Sequence, residues 1–565
     1  MCGIGGMISK GRPIEDAQVT RMTECLRHRG PDDIGYHRTP TAQMGMTRLA
    51  ILDLVSEGLC PLVMPRSGSA TPVALCFNGE IFNYVELREE LIRYGHCFRT
   101  RGDGEVLLRA YFQWGEDCLD RLNGMFAFAI LDAERDLLFL ARDRAGEKPL
   151  YYHDGEDAFC FASEIKALLT VIPEPEVTIP DEYRAFEYTC GEQTLFEGVR
   201  SLPPGHKLVR RGVCGRPGAR RVSAYWEVSS HLREVNPETA VDELDALLHD
   251  SVRIRLRSDV PLGLYLSGGI DSSILAYMAR PAIAFSCQFP YGPKYDELEF
   301  AELVAKEVGC DHVVVRPTQE DFTRLLPDIL YALDMPVGSF SIFPLYMLAR
   351  EATRHVKIVL SGEGADELFS GYTRYLILPH EESLATCPPL VPYRPLLHYY
   401  YGNLLDRFAR LLNRGRVSDE VVKSVIAKHF LEFDDLVHAM GYTEFKLMLV
   451  TLLQMEDRTA AAFGLENRSP FLDHRIIEFA FSIPGDFKVR EMTPKWIVRE
   501  VAKRYLPRPI LDRQDKMGLI APINLWLGTG GRRGEYDRQE YNRHCFQIWQ
   551  RVFFQERRYL GRAQG

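Results

Sequence analysis

The stretch Leu264-Tyr-Leu-Ser-Gly-Gly-Ile-Asp-Ser-Ser-Ile274 is the tightest constraint on what this chain can fold into. The apolar run from Pro261 to Leu266 predicts a short buried strand. Ser267-Gly268-Gly269 follows at once, and two glycines let the backbone turn sharply and approach a bound group closely. Asp271 to Ala279 carries no breaker and predicts a helix. Strand, Gly-rich turn and helix N-terminus together suit an anion, because free amide N–H groups and the helix dipole face the same point. Ser267, Ser272 and Ser273 add hydroxyl donors. The Asp271 carboxylate repels phosphate unless a cation sits between them, and Mg²⁺ is the usual choice with nucleotides. A lone Gly-Gly is more often an ordinary capped turn. Here Ser-Gly-Gly-x-Asp-Ser-Ser fixes six of seven positions, and the Gly-Lys-Ser/Thr ending of a Walker loop is missing.

A chain of 565 residues exceeds one ordinary core, so roughly two to four domains are expected. Its 46% hydrophobic and 26% charged residues fit a globular protein. A net charge of -10 leaves no basic surplus for nucleic acid. No apolar run approaches a membrane span, and the N-terminus lacks the basic and apolar regions of a secretory signal. The 13 cysteines are scattered without a Cys-x-x-Cys pair, which points away from disulfides and zinc and toward a reducing, cytoplasmic setting.

Cys2 stands apart from the other cysteines. Removal of Met1 would leave it with a free α-amine, which titrates near pH 8 and can act as general base for its own thiol. Arg27 to Asp32 reads as a polar turn in which His28 is a hydrogen-bonded structural residue. Arg48 to Asp53 reads as a short strand opened by an arginine that can fork onto a carboxylate. Cys76-Phe77 leads into Asn78-Gly79, ordinarily a hairpin signal. The functional alternative is that the Asn78 amide and Gly79 N–H donate to an oxyanion. Asp103 offers a carboxylate to an ammonium group, and Glu105 a cap to a helix from Val106 to Trp114. The segments 125–131, 137–141 and 158–162 alternate as strands.

These residues together resemble the class II glutamine amidotransferase domain, which has the N-terminal nucleophile hydrolase fold. The resemblance runs through most of residues 2–205, including Gly124–Phe128, Asp143-Arg144, Lys148–Tyr152, Ala162–Glu164 and Leu202–Gly205. It implies an α+β sandwich of antiparallel sheets between helices. It implies that Cys2 attacks the glutamine amide and that Asn78 and Gly79 form the oxyanion hole. Arg48 would hold the α-carboxylate and Asp103 the α-amino group, with Leu49, Ile51, Leu52 and Glu80 lining the site. Gly104 stands where relatives carry threonine or serine.

Residues 210–223 are rich in Gly and Arg, lack periodicity and are expected as a loop or domain junction. A helix is expected from Pro237 to Arg257, then strands near 282–289, 312–316 and 357–360 alternating with helices. That alternation predicts an α/β doubly wound parallel sheet, with ligands at the carboxyl ends of its strands. Ser361-Gly362-Glu363-Gly364-Ala365-Asp366-Glu367 follows the fourth strand at the same edge as the phosphate loop. The stretch from Gly464 to Asp473 reads as a turn-rich insertion, and Lys495 opens a further helix.

The phosphate loop resembles that of ATP pyrophosphatases. Residues 237–528 resemble the synthetase domain of glutamine-hydrolysing asparagine synthetase, through Ser267–Ser273, Ser361–Glu367, Arg468–Asp473, Lys495–Glu500 and Lys516 to Trp526. The resemblance implies ATP and Mg²⁺. Leu266, Ser267, Gly268, Gly269, Asp271, Ser272, Ser273, Cys287, Ser361 and Gly362 would contact the nucleotide, and Asp271 and Asp366 would ligate the metal. Glu363 would act on the attacking ammonia as base or hold the substrate amine, and Lys495 would stabilise charge on the α-phosphate. Lys516-Met517-Gly518-Leu519 replaces the usual Lys-Gly-Phe.

The expected organisation is a glutaminase domain over 2–209, a linker over 210–236, a synthetase domain over 237–528 and a weakly helical tail over 529–565. The expected activity is transfer of glutamine nitrogen to an adenylated carboxylate, aspartate by default, in an enzyme that is a homodimer in many relatives. The alternatives are the same chemistry on another small-molecule or peptide carboxylate, or a glutamine-binding scaffold with dead sites. Intact Cys2, Asn78, Asp271, Asp366 and Lys495 count against the scaffold.

Overall fold

Residues 3–224 build two six-stranded antiparallel sheets packed face to face. The computed structural model describes residues 1–55, 59–66, 68–214, 218–292, 295–377, 404–413, 417–513, 518–527 and 535–560. The first sheet runs Val199–Ser201, Tyr151–Asp154, Ala158–Ala162, Gly3–Ser9, Ala42–Arg48, Asp33–Arg38. The second runs Arg220–Ala224, His206–Arg211, Leu137–Arg142, Gly124–Asp132, Pro72–Ile81, Leu62–Pro65. Side-chain alternation along each strand separates the layers. Ile4 and Ile8 join Met44, Ala127, Leu140 and Phe159 in the core between the sheets, while Met7 faces the other way onto Val19 and Met22 of helix Asp16–Glu24. Helices Tyr84–Arg93 and Asp103–Trp114 cover the outside of the second sheet through Leu87, Leu91, Val106 and Leu107. The strands expected near 125–131, 137–141 and 158–162 are all present, and the arrangement is the expected sandwich.

Three local expectations are corrected. The stretch 210–223 is not a continuous loop, because both of its ends lie in strands. His206–Arg211 and Arg220–Ala224 pair antiparallel, from His206 opposite Ala224 to Arg210 opposite Arg220, and add an edge to the second sheet. Its arginines hid the pattern because they pack by their stems and faces, Arg210 over Phe159 and Arg220 over Tyr152, with both charges on Asp154. Asn78-Gly79 forms no hairpin turn and lies inside strand Pro72–Ile81. Arg48 ends a strand rather than opening one, and a loop follows it.

The C-terminal half carries the expected parallel sheet. Its order is Asp311–Val315, Ile283–Cys287, Leu262–Tyr265, Ile358–Leu360, Glu466–Arg468. The chain order therefore reverses between the first strand, Leu262–Tyr265, and the fourth, Ile358–Leu360, and a crevice opens at such a switch point. The fifth strand, Glu466–Arg468, corrects the expected turn-rich insertion. Three residues with charged ends give no strand signal, and only pairing with Ile358–Leu360 makes them one. Helix Leu436–Ala461 is long and apolar enough, by length and composition, to cross a membrane, but 78% of that window is buried inside the protein. In the stretch expected as a tail, helix Glu535–Gln550 and the turns after it bury Trp549 and Phe553. Trp549 reaches both halves: its ring meets Phe196 at 5.3 Å and its Nε1 donates to the Asp334 carbonyl at 3.0 Å.

The two halves meet through a buried set of charges. Arg29 Nη1 lies 2.8 Å from Glu164 and 2.9 Å from Asp457. Lys166 contacts Glu164 and sits 2.8 Å from Asp334. Arg458 approaches Glu164 at 2.8 Å and Asp334 at 3.2 Å, as contacts of charge rather than aligned hydrogen bonds. Burial alone would raise the Glu164 pKa. His28, Lys166 and Arg458 reverse that and hold it well below the usual carboxylate range. His28, 3.0 Å from Glu164, is the structural residue expected. Arg458→Met leaves Glu164 and Asp334 short of a counter-charge, so it is expected to destabilise the protein by about 3–5 kcal/mol. A urea midpoint equal to wild type would refute that.

Lys488 is the opposite case. Its Nζ is fully buried 4.5 Å from the Phe481 ring centre and has no hydrogen-bond partner among the described residues. Burial lowers its pKa from 10.5 to about 7, only partly countered by Asp435. The unfolded chain binds more protons between those two values, so Lys488 penalises folding fully below pH 7 and not at all above 10.5. Lys488→Met should raise Tm, by more at pH 6.5 than at pH 9.5. An equal gain at both pH values would show that the lysine is not the titrating group.

Candidate active site

Two separate sites collect the residues singled out in the sequence. At the first, Cys2 precedes strand Gly3–Ser9 in the middle of its sheet. Gly3 N donates to Thr47 Oγ1 and Ile4 N to Ser163 Oγ, both at 3.0 Å, which fixes where the strand begins. Arg29 Nε donates to the Cys2 carbonyl at 2.9 Å. The Cys2 backbone nitrogen donates to Asn78 Oδ1, also at 2.9 Å, while Asn78 Nδ2 is buried and makes no hydrogen bond among the described residues. Gly79 needs to be glycine: its φ is +135°, and a Cβ would stand 2.0 Å from the Met125 carbonyl.

A small cavity of about 70 Å³ opens at Cys2. Arg48, Leu49, Ile51, Leu52, Gly79, Glu80 and Asp103 line it, with Asn78 behind Cys2. The Arg48 guanidinium also anchors the loop it faces, donating to the carbonyls of Leu52 at 3.0 Å and Asp53 at 2.8 Å. Asp103 accepts from Ile81 N at 2.8 Å, and burial pushes its pKa up to about 6. Glu105 accepts from Arg99 N and Thr100 N, so it closes the turn before the helix. Gly104 leaves room, since a Cβ there would meet nothing closer than Phe77 at 3.8 Å. Burial raises the Cys2 thiol above its ordinary range, more than Arg48 and a bond to the Leu49 backbone lower it. The Cys2 side chain is therefore a thiol rather than a standing thiolate near neutral pH.

The second site is a cavity of about 390 Å³ at the switch point of the parallel sheet. Leu266, Ser267, Asp271, Ser272, Cys287, Ser361, Gly362, Glu363 and Asp366 line it. The phosphate loop is held ready by its own hydroxyls. Ser267 N and Ser267 Oγ both meet Ser272 Oγ, at 3.2 and 3.1 Å, and Gly269 N donates to Ser267 Oγ at 3.3 Å. Gly268 has φ +69° and packs so closely on the next helix that a Cβ would stand 2.5 Å from Phe300 Cβ. Gly268 and Gly269 shape the turn without lining the cavity, and Ser273 is fully buried behind it.

Lys495 reaches this cavity from the far side. Its Nζ lies 2.7 Å from Asp271 Oδ2 and 2.5 Å from Asp366 Oδ1. Its backbone is left-handed, φ 54°, a conformation that costs a residue with a Cβ of the order of 1 kcal/mol or more. Two carboxylates converging on one cation are also a fitting pair for Mg²⁺, which takes few protein oxygens and fills its shell with water and phosphate. Of the Lys516-Met517-Gly518-Leu519 run, Gly518 and Leu519 line the cavity, while Lys516 and Met517 lie outside the described residues. A wider recess of about 640 Å³ near Tyr111, Arg135 and Arg211 contains none of the predicted residues.

Sequence reasoning missed the residues that join the two sites. Asp457 binds Arg29, which holds the Cys2 carbonyl, while the preceding residue, Glu456, lines the second cavity. Glu466 lies 3.3 Å from the Met1 amine, and Arg468 lies 3.6 Å from Glu80. The one available signal was Glu456-Asp457-Arg458 near the end of a mostly apolar helix, since consecutive charges there need partners.

A family model described as "Glutamine amidotransferase domain" matches residues 1–226, and one described as "Asparagine synthase" matches residues 243–549. Asparagine synthetase [glutamine-hydrolyzing] 1 of Bacillus subtilis is 32% identical, covering 93% of this chain and 88% of its own. Asparagine synthetase [glutamine-hydrolyzing] 3 of the same organism is 30% identical over 91% and 86%. Amidase chyE of Penicillium rubens is 26% identical over 94% and 90%. Among solved structures, glutamine phosphoribosylpyrophosphate amidotransferase of B. subtilis aligns over 57% of this chain and 70% of its own, with 16% identity and a TM-score of 0.31. From two family models that together span most of its length, and relatives matched nearly end to end, the chain belongs to the glutamine-hydrolysing asparagine synthetase family of ATP-using ligases and amidotransferases.

Proposed function

We propose that this protein moves the amide nitrogen of glutamine onto a carboxylate that it first activates as an acyl-adenylate. The default acceptor is aspartate, which gives asparagine. The observation that carries this reading is the paired construction of the molecule. A cysteine with an unused amide donor beside it sits at one end of the Arg29–Asp457 contact, and a phosphate loop with two carboxylates and a lysine sits at the other.

The first site works as follows in this reading. Met1 is removed, and the Cys2 nitrogen that now donates to Asn78 Oδ1 becomes an amine. That amine takes the thiol proton as sulfur attacks the glutamine side-chain carbonyl. Asn78 Nδ2, buried without a partner, and the Gly79 N–H receive the oxyanion. Arg48 and Asp103 hold the α-carboxylate and α-ammonium ends of glutamine, and Leu49, Ile51, Leu52 and Glu80 complete the walls. The amine passes its proton to the leaving nitrogen, so ammonia departs, and water then releases glutamate from sulfur.

At the second site Ser267–Ser273, Ser361 and Gly362 bind ATP, with Leu266 and Cys287 beside the nucleotide. Asp271 and Asp366 would hold Mg²⁺, which neutralises phosphate charge when bound. Lys495 then stabilises the α-phosphate as the acceptor carboxylate displaces pyrophosphate. A carboxylate is a poor electrophile, whereas the mixed anhydride has AMP as a good leaving group. Glu363 acts as base on the attacking ammonia or holds the substrate amine. A second reading keeps the chemistry and changes the acceptor to another small-molecule or peptide carboxylate. It is favoured by the end-to-end match to a relative named an amidase.

Four measurements test this. Cys2→Ala should abolish glutamine-dependent amide formation, a loss on the order of 10⁶, while ammonium salts at high pH still support it. Intact mass of active wild-type enzyme should show Met1 gone, and full glutamine-dependent activity with Met1 retained would defeat the mechanism. Asp271→Asn should keep glutamine hydrolysis and lose conversion of ATP to AMP. A screen of carboxylic acids for AMP release, aspartate first, identifies the acceptor. No AMP with aspartate but release with another acid moves the protein to the second reading.

A further inference from the structure

Glu456 is a buried acid that neither half-reaction uses. It lies one residue before Asp457 on helix Leu436–Ala461, so it faces the nucleotide cavity while its neighbour reaches toward Cys2 through Arg29. Its Oε2 accepts from Ser361 Oγ at 3.3 Å and from Asn467 Nδ2. Asn467 Nδ2 also reaches Ser361 Oγ at 3.1 Å, and Ser361 Oγ meets Ser469 Oγ at 3.1 Å. No described residue donates to Glu456 Oε1. Two more polar atoms near this wall are unused: Asn467 Oδ1 and the Tyr265 hydroxyl are both buried without a hydrogen-bond partner among the described residues, and Tyr265 lines the cavity. A wall that fixes one carboxylate oxygen by two donors and leaves the other without one is arranged to receive an N–H group.

We propose that Glu456 keeps the nitrogen that leaves the Cys2 site as neutral ammonia, accepting the proton of any ammonium that forms by protonation on the way, before it meets the adenylated carboxylate. This rests on the two-site reading above. In the step, one N–H bond of ammonium breaks and an O–H bond forms at Glu456 Oε1. Nitrogen keeps the electron pair and becomes nucleophilic. The charge around Glu456 suits the exchange. Burial pushes its carboxyl up to about 8, with Glu147 and Glu367 raising it further and the Ser361 hydrogen bond and Lys148 opposing. A carboxyl so placed takes and returns a proton near neutral pH, whereas an ordinary glutamate is too weak a base to deprotonate ammonium. Glu147 and Lys148 come from the N-terminal half, the side from which ammonia enters.

Hydroxylamine separates proton removal from everything else, because it is already neutral at pH 7 and attacks acyl-adenylates directly. Glu456→Gln is expected to hydrolyse glutamine at the wild-type rate. It should also exchange pyrophosphate into ATP and form hydroxamate from hydroxylamine at wild-type rates, with the acid that releases AMP in the screen, aspartate first. Amide formation from ammonium at pH 7 should fall about 10²-fold. It should recover as pH is raised toward 9, and glutamate released per amide formed should rise. Wild-type amide formation by the variant at pH 7 would overturn the proposal. So would equal losses with hydroxylamine and ammonium, which would mean that Glu456 positions the acceptor instead. If wild-type enzyme exchanges pyrophosphate with no acid, the two-site reading falls, and this proposal with it. If it exchanges and the variant matches it in every assay, only the role of Glu456 falls.

Discussion

Burial of Arg29 is the constraint on which the arrangement of the molecule depends. Its guanidinium is fully buried, and an unpaired charge there would cost several kcal/mol. The protein compensates with Glu164, Asp457 and the Cys2 carbonyl, which come from three separate parts of the chain. Burial works against its charge, and Asp457 and Glu164 more than restore it. One side chain thereby sets the position of the first strand, the end of the sandwich and a helix of the parallel domain. The two domains cannot shift relative to one another without stranding charges, and that fixes the separation of the two sites.

The same economy of charge recurs at the nucleotide cavity. Asp271, Asp366 and Lys495 form a short triad of two anions and one cation, and the lysine backbone is held in a left-handed conformation to complete it. Strain of that kind persists where surrounding structure over-determines it. Here the following Trp496 N donates to the Lys488 carbonyl at 2.9 Å, so the turn is held from behind.

Much of the fold was readable from the chain. The strand and helix around Ser267–Ser273 fell within a residue or two of their predicted ends, as did the strands at 283–287 and 311–315, because each is an apolar run bounded by glycine or charge. Every residue expected around glutamine lines or backs the cavity at Cys2. What the sequence concealed has a common cause. The edge hairpin after Leu202 is rich in arginine, the strand Glu466–Arg468 is three polar residues, and Asn78-Gly79 carries a turn signature inside a strand. In each case the local signal was overridden by partners far away in the chain.

The sequence by itself determined the chemistry available: a cysteine next to the initiator, a phosphate loop without a Walker lysine, and acids placed after a parallel strand. These are short-range patterns, and spacing of a few residues suffices to read them. Only the tertiary structure decided how they cooperate. Asp457 faces Arg29 and Glu456 faces the nucleotide cavity because successive residues on a helix point about 100° apart. That helix happens to separate the two sites. Glu466 and Arg468 likewise gained their meaning by lying on the edge strand of the parallel sheet, against the N-terminal half. A charged residue in sequence looks like surface until a fold buries it, and the partners that make burial affordable come from hundreds of residues away.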